Sequence, residues 1–215
     1  RSKRRVPKPV TANSSDNPNP VRTSPWSILT SFSKGDGERV FVALGSNLGD
    51  SRGILEGAMH DLDRTFDGFR CSGLYRSAPL YVEEQPPFLN AVATGYWRGT
   101  AMALLDMLQS LEAKFGRDRR AERRHGPRYL DLDVLLFGRQ AFRKQRLEVP
   151  HPRMSERRFV LAPLVELAPE LQDPRTGTAY SRILPRVVGQ TVERIEECPC
   201  EGCSEGLTAV PGGRA

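Results

Sequence analysis

From Val40 onward the chain alternates short apolar runs with amphipathic stretches. Val40-Phe41-Val42-Ala43-Leu44 is a brief, partly β-branched run closed by Gly45-Ser46-Asn47-Leu48-Gly49-Asp50, the pattern of a strand and a turn. Leu55, Ala58, Met59, Leu62 and Phe66 then recur three and four apart, which predicts a helix whose first turn Asp50 or Ser51 can cap. Residues 69–76 and 89–97 read as strands on either side of a Pro-rich loop. Thr100 opens a second helix with the stripe Leu104, Leu105, Leu108, Leu111 and Phe115, and Gly116 stands as its stop signal. Residues 129–137 form a further strand. The order strand, helix, strand, strand, helix, strand predicts an α+β fold of the ferredoxin-like kind, an antiparallel sheet with both helices on one face. Past Gly138, residues 138–149 suit an extra edge hairpin, and residues 156–167 a short helical region.

Both ends differ from this body. Residues 1–37 are rich in Ser, Pro, Asn and Arg without sustained periodicity, so burial could not offset the entropy of ordering them, and a disordered leader is expected. It suits a linker or an organellar transit peptide, and the first residue, Arg1 rather than Met, is expected to lie inside a longer chain. Residues 38–192 are expected to be the domain and 193–215 a flexible Cys/Gly-rich tail. Residues 1–35 account for the whole net charge of +6, seven Lys and Arg against Asp16 alone; residues 36–215 are neutral. Any basic site in the body is therefore local. No run of about eighteen apolar residues occurs, so no membrane helix is expected and no membrane partner. Four cysteines in this length do not make a disulfide scaffold, which suits a reducing, intracellular setting, cytoplasmic or mitochondrial. Cys198, Cys200 and Cys203 are one ligand short of a closed zinc site and read as incidental.

Chemistry gathers around residues 117–137. In Leu130-Asp131-Leu132-Asp133-Val134-Leu135-Leu136-Phe137, alternation sends Leu130, Leu132, Val134 and Leu136 to one face and Asp131, Asp133, Leu135 and Phe137 to the other. Carboxylates two apart on a strand lie roughly 6 to 7 Å apart and repel by roughly 2.5 kcal/mol at an effective dielectric of about 20. A cation is expected there. With no matching Cys/His cluster the pair favours a hard ion, Mg²⁺ before Zn²⁺, and Mg²⁺ commonly shares its shell with substrate phosphates. Alone, such a pair could equally face solvent or bond to neighbouring arginines. Directly before it, residues 117–128 carry six Arg against two acids, enough to surround phosphate oxygens the metal leaves unneutralised. The Gly45–Asp50 turn lacks the Gly-Lys-Ser/Thr ending of a Walker A loop, so side chains and metal must hold any phosphates. An RNA-binding module is the alternative for an Arg-rich loop, but no aromatic-rich RNA-recognition strand is present and no nucleic-acid partner is expected.

Four motifs occur in order: Gly45-Ser46-Asn47-Leu48-Gly49-Asp50; Gln85-x-x-Phe88-Leu89-Asn90; Gly126-Pro127-Arg128-x-Leu130-Asp131-Leu132-Asp133; and Val149-Pro150-His151-Pro152-Arg153-Met154. Together they resemble the 6-hydroxymethyl-7,8-dihydropterin pyrophosphokinases of folate biosynthesis over about residues 39 to 171. The resemblance implies a ferredoxin-like fold and transfer of the β,γ-pyrophosphoryl group of ATP to the pterin hydroxymethyl oxygen, leaving AMP. It implies two Mg²⁺ ions on Asp131 and Asp133, and Arg117 and Arg128 as the arginines that stabilise charge on the transferring group. Gln109, Glu112, Arg119, Arg146, His151 and Arg157 are implied nucleotide contacts. Phe88 and Phe159 are implied to sandwich the pterin ring and Asn90 to read its polar edge, with groups around Ser77, Ala78 and Leu80 completing the pocket. Read without the resemblance, Glu112 is a solvated helix residue, Arg146 and Arg157 are surface charges, His151 a turn histidine and either Phe ordinary core. Relatives carry Trp or Tyr immediately before Gly-Pro-Arg where this chain has His125, which implies a weaker nucleotide contact. The same activity could also belong to one module of a multifunctional enzyme fused to a dihydropteroate synthase.

Overall fold

The computed structural model describes residues 37–80, 84–118 and 126–199. Strand β1 (Glu38–Ser46) leads into helix α1 (Ser51–Asp63), followed by β2 (Asp67–Cys71), β3 (Leu74–Ser77), β4 (Phe88–Trp97), α2 (Ala101–Lys114) and β5 (Asp131–Phe137). The short strands β6 (Phe142–Arg143) and β7 (Glu148–Val149), helices α3 (Arg158–Leu167) and α4 (Tyr180–Ile183), and strand β8 (Val192–Glu196) complete it. The main sheet runs β5-β1-β4-β3-β8, and β2 also pairs with β4. Every pairing is antiparallel. β2 pairs with the far end of β4 and β3 with its start, so they are two halves of one strand interrupted at Ser72 and Gly73. Counted so, the order is that of the expected ferredoxin-like sheet, extended by β8.

The helices form where periodicity places them. Asp50 accepts from the Gly53 N–H at 3.1 Å to cap α1, and Thr100 accepts from Ala103 N–H at 3.1 Å to cap α2. Leu55, Ala58, Met59 and Leu62 of α1 and Leu104, Leu105, Leu108 and Leu111 of α2 are buried against Val40, Val42 and Leu44 of β1 and Leu132 and Val134 of β5. Each large side chain so buried contributes roughly 1.5–3 kcal/mol. Gly116 ends α2 at φ +88°, a left-handed conformation that a side chain would oppose. α3 covers part of the other face, packing on β3, β4 and β8 through Val160, Leu161, Leu164 and Leu167. The sheet is thus filled by helices on one face and left open over part of the second.

Three expectations are corrected. Leu135 is an extra residue in β5, since Val42 pairs with Val134 and Phe41 with Leu136, and the shift turns Phe137 into the core beneath the helices instead of onto the aspartate face. The hairpin after Gly138 exists, but β6 and β7 form a separate two-stranded sheet and do not extend the main one. The chain after Val192 does not lose order at once: Val192–Glu196 is β8, paired with β3, and Cys198 beyond it forms a disulfide with Cys71 at the end of β2, Cα atoms 6.1 Å apart. β8 returns the chain to the sheet edge, which brings together cysteines 127 residues apart in sequence. Cys200 and Cys203 lie outside the described residues.

Candidate active site

On the face of the sheet away from α1 and α2, side chains from β1, β3, β4 and β5 converge with α3 around a cavity of about 500 Å³, within the range of small-molecule sites. Asp131 pairs with Gly45 and Asp133 with Ala43, so both carboxylates share this face, as alternation requires. Gly45 leaves space a side chain would occupy: a Cβ there would stand 3.6 Å from Asn90 Oδ1 and 4.0 Å from the Asp131 Cβ. Both Asp131 and Asp133 line the cavity, together with Arg117, Arg128, Arg153, Arg157 and His151.

Asp131 is held by guanidiniums. Arg117 donates to its Oδ1 at 2.5 Å and Arg128 to its Oδ2 at 2.6 Å. Arg117 also bonds Glu112, whose carboxylate accepts from the Leu132 N–H at 2.8 Å between the two aspartates. Asp133 is more open, with 38% of its side chain exposed; His151 Nε2 approaches it at 3.7 Å and Arg157 at 3.8 Å. Withdrawal of the carboxyl from bulk water into the cavity and the charge of Asp131 raise the Asp133 pKa above the usual carboxylate range.

His151 is fixed from both sides. Its backbone N–H donates at 2.9 Å to the carbonyl of Leu135, the extra residue of β5, on the outer edge of the sheet. Its Nδ1 accepts from the Arg153 N–H at 3.2 Å, and burial with Arg157 and Arg153 nearby lowers its pKa to about 4. The ring is therefore neutral at pH 7 and, with Nδ1 an acceptor, carries its proton on Nε2, which faces Asp133 and the cavity. That approach is no ion pair; Nε2–H is a neutral donor toward an anionic ligand.

Arg128 is set by a residue whose part the sequence did not reveal. Asn47 exchanges two bonds with it, Asn47 N–H to the Arg128 carbonyl at 3.1 Å and Arg128 N–H to Asn47 Oδ1 at 2.9 Å. Asn47 Nδ2 then donates to Gln85 Oε1 and the Pro86 carbonyl, each at 3.1 Å. The only signal was its place in the Gly45–Asp50 turn. Further along, Asn90 donates through Nδ2 to Ser77 Oγ at 3.0 Å, which leaves its Oδ1 as an acceptor. Phe88 and Phe159 both line the cavity, Phe88 beneath the Arg128 guanidinium at 5.9 Å and Phe159 beneath that of Arg157 at 5.7 Å. Ser77, Ala78 and Leu80 complete the wall.

Not all expected contacts meet here. Glu112 is buried behind the cavity wall, where it fixes Arg117 and β5 rather than facing the ligand space. Gln109 and Arg146 are joined to each other at 3.1 Å outside the lining, and Arg146 also pairs with Asp106 at 2.7 Å. Arg119 lies outside the described residues.

The donor set suits a hard divalent cation and a polyanion. Two carboxylates on one strand offer only oxygen, and the desolvation and the Asp131 charge that raise the Asp133 pKa are both relieved by a bound cation. Four arginines line the cavity against two aspartates, and the Nε atoms of Arg128 and Arg157 are buried with no hydrogen-bond partner among the described residues. Donors left so cost free energy until an acceptor arrives.

A ferredoxin-like sheet with paired carboxylates, surplus guanidinium and two aromatic rings lining one cavity suits the phosphoryl- and pyrophosphoryl-transfer enzymes. The profile of the 7,8-dihydro-6-hydroxymethylpterin-pyrophosphokinase (HPPK) family matches residues 41–169, and the chain belongs to that family. It is 42% identical over 167 residues to the 2-amino-4-hydroxy-6-hydroxymethyldihydropteridine pyrophosphokinase of Pseudomonas aeruginosa, covering 77% of this chain and 94% of that one. The corresponding protein of Methylorubrum extorquens is 38% identical over 161 residues, 74% of this chain and 99% of its own. A mitochondrial folate synthesis bifunctional protein of Arabidopsis thaliana is 40% identical over 162 residues, only 28% of its length. Among solved structures, wild-type Plasmodium falciparum HPPK-DHPS superposes with a TM-score of 0.56 at 12% identity, over 73% of this chain and 46% of that one. That likeness shows the fold. The protein is thus a pyrophosphokinase of folate biosynthesis with ATP as co-substrate.

Proposed function

We propose that the cavity binds ATP and 6-hydroxymethyl-7,8-dihydropterin together and that the residues named above carry the transfer. The pterin hydroxyl oxygen bonds to the β-phosphorus, the bond from that phosphorus to the α,β-bridging oxygen breaks, the hydroxyl proton is lost and AMP departs. The observation that carries this reading is the Asp131–Asp133 pair facing a cavity with more arginines than acids.

Asp131 and Asp133 would hold Mg²⁺. Such ions, when bound, neutralise polyphosphate charge and ease loss of the hydroxyl proton. Arg117 and Arg128 are tethered to Asp131 and so stand beside the position of the transferring group, where charge-assisted bonds to its oxygens count most. His151 Nε2–H and Arg157 donate from the Asp133 side. Phe88 and Phe159 would stack on the pterin while Asn90 Oδ1 accepts from its amino edge, orienting the hydroxymethyl group toward the phosphates.

Chromatography of a reaction with ATP, Mg²⁺ and the pterin tests the reading. AMP should form in step with pterin consumption; ADP as the product, or no turnover, would reject it. We also propose that the chain can act as one module of a longer enzyme, because the Arabidopsis relative, at 40% identity, is a bifunctional protein. The full coding sequence tests this by carrying, or lacking, a dihydropteroate synthase segment.

A further inference from the structure

Arg153 lines the cavity and adds to its positive charge, but no contact in the proposed transfer is assigned to it. It sits in the turn Val149-Pro150-His151-Pro152-Arg153-Met154, just before the 3₁₀ turn Met154–Glu156. Its three fellow arginines in the cavity all have carboxylates near: Arg117 and Arg128 bond Asp131, and Arg157 lies 3.8 Å from Asp133. Arg153 has no ion-pair partner among the described residues, and its side chain is exposed at the cavity rim.

The stem that bears this guanidinium is anchored. The Arg153 N–H donates to His151 Nδ1, and the His151 N–H donates to Leu135 of β5, so the turn is pinned to the sheet edge beside Asp133. A guanidinium carried on an anchored turn, with a full charge and a planar fork of donors, matches phosphate oxygens. A neutral pterin offers no charge to match it.

We propose that Arg153 is a further polyphosphate-binding residue, gripping ATP from the Asp133 side while Arg117 and Arg128 act on the Asp131 side. This rests on the pyrophosphokinase reading. Because Arg153 stands at the open rim and is not tethered to Asp131, it acts on ATP affinity and not on the chemical step.

The test is steady-state kinetics of Arg153→Gln and Arg153→Lys, with calorimetric titration of the magnesium complex of α,β-methylene-ATP and a melting curve for each variant. Arg153→Gln should raise both KM for ATP and Kd for the analogue about tenfold, with kcat and KM for the pterin within about twofold of wild type. Arg153→Lys should recover part of the loss, since it keeps the charge and gives up the fork. A Kd within about twofold of wild type in Arg153→Gln, or a fall in kcat at unchanged KM, would overturn the proposal. Failure of the wild type to make AMP would instead overturn the pyrophosphokinase reading, and the analogue titration would still report on Arg153.

Discussion

Glu112 follows Leu111 on an amphipathic helix, and at such a position a carboxylate is ordinarily turned to water. Here it is 1% exposed, because the Leu132 N–H and the Arg117 guanidinium reach it from β5 and from the residues after α2. Neither partner is near it on its own helix, so periodicity could not disclose the burial. Glu112→Ala would leave the buried Leu132 N–H without its acceptor and take from Arg117 one of its two carboxylates, and should cost roughly 3 kcal/mol of stability together with most of kcat. Glu112→Gln keeps an oxygen for Leu132 and should restore most of the melting temperature while kcat stays low, because Arg117 is held less firmly. Melting curves beside kcat measurements check both. The aspartates, by contrast, were legible, since a period of two puts Asp131 and Asp133 on one face whatever else the chain does. Asp131→Asn should lower kcat by at least about a thousandfold with the fold retained, measured as AMP formation and circular dichroism.

At the scale of elements, strands and helices with clear periods were readable, and what escaped depended on pairing. One extra residue in β5 reversed the facing of Phe137, and the same Leu135 offers its carbonyl to His151, so a departure from regular pairing helps build the site. β8 was unreadable because Val192–Glu196 alternates only weakly and is stabilised from elsewhere. Glu166 of α3 accepts from Gly73 N–H at 3.1 Å, Tyr75 OH at 2.5 Å and Arg194 of β8 at 3.1 Å, joining α3, β8 and the edge of the sheet. Burial and that bond to Glu166 raise the Tyr75 pKa, keeping its hydroxyl a donor. Glu166→Ala removes the acceptor that Gly73, Tyr75 and Arg194 share and should destabilise the protein by roughly 2–3 kcal/mol, a fall of roughly 5–10 °C in melting temperature. Hydrogen exchange should then accelerate first in β8; uniform acceleration across the sheet would argue against the local role.

For the whole molecule, the Cys71–Cys198 disulfide closes a loop of 127 residues and ties the end of the described chain to β2. Spacing alone gave no hint of it, because nothing local links two cysteines so far apart. A cross-link over so long a loop typically adds about 2–4 kcal/mol, so a thiol reductant should lower the melting temperature by roughly 5–10 °C. Cys198→Ser should melt at the reduced value with or without reductant. The fold serves one end: β1 and β5 set two carboxylates over a recess, and Arg117 just after α2, the Gly126–Asp133 segment and the Val149–Met154 turn bring guanidiniums around it. The most direct test of that arrangement is electron paramagnetic resonance of Mn²⁺ titrated into the protein with α,β-methylene-ATP. The account predicts tight, nucleotide-dependent Mn²⁺ binding in the wild type, weakened at least about a hundredfold in the Asp131→Ala, Asp133→Ala double variant with its fold intact. Mn²⁺ bound equally well by that variant would contradict it.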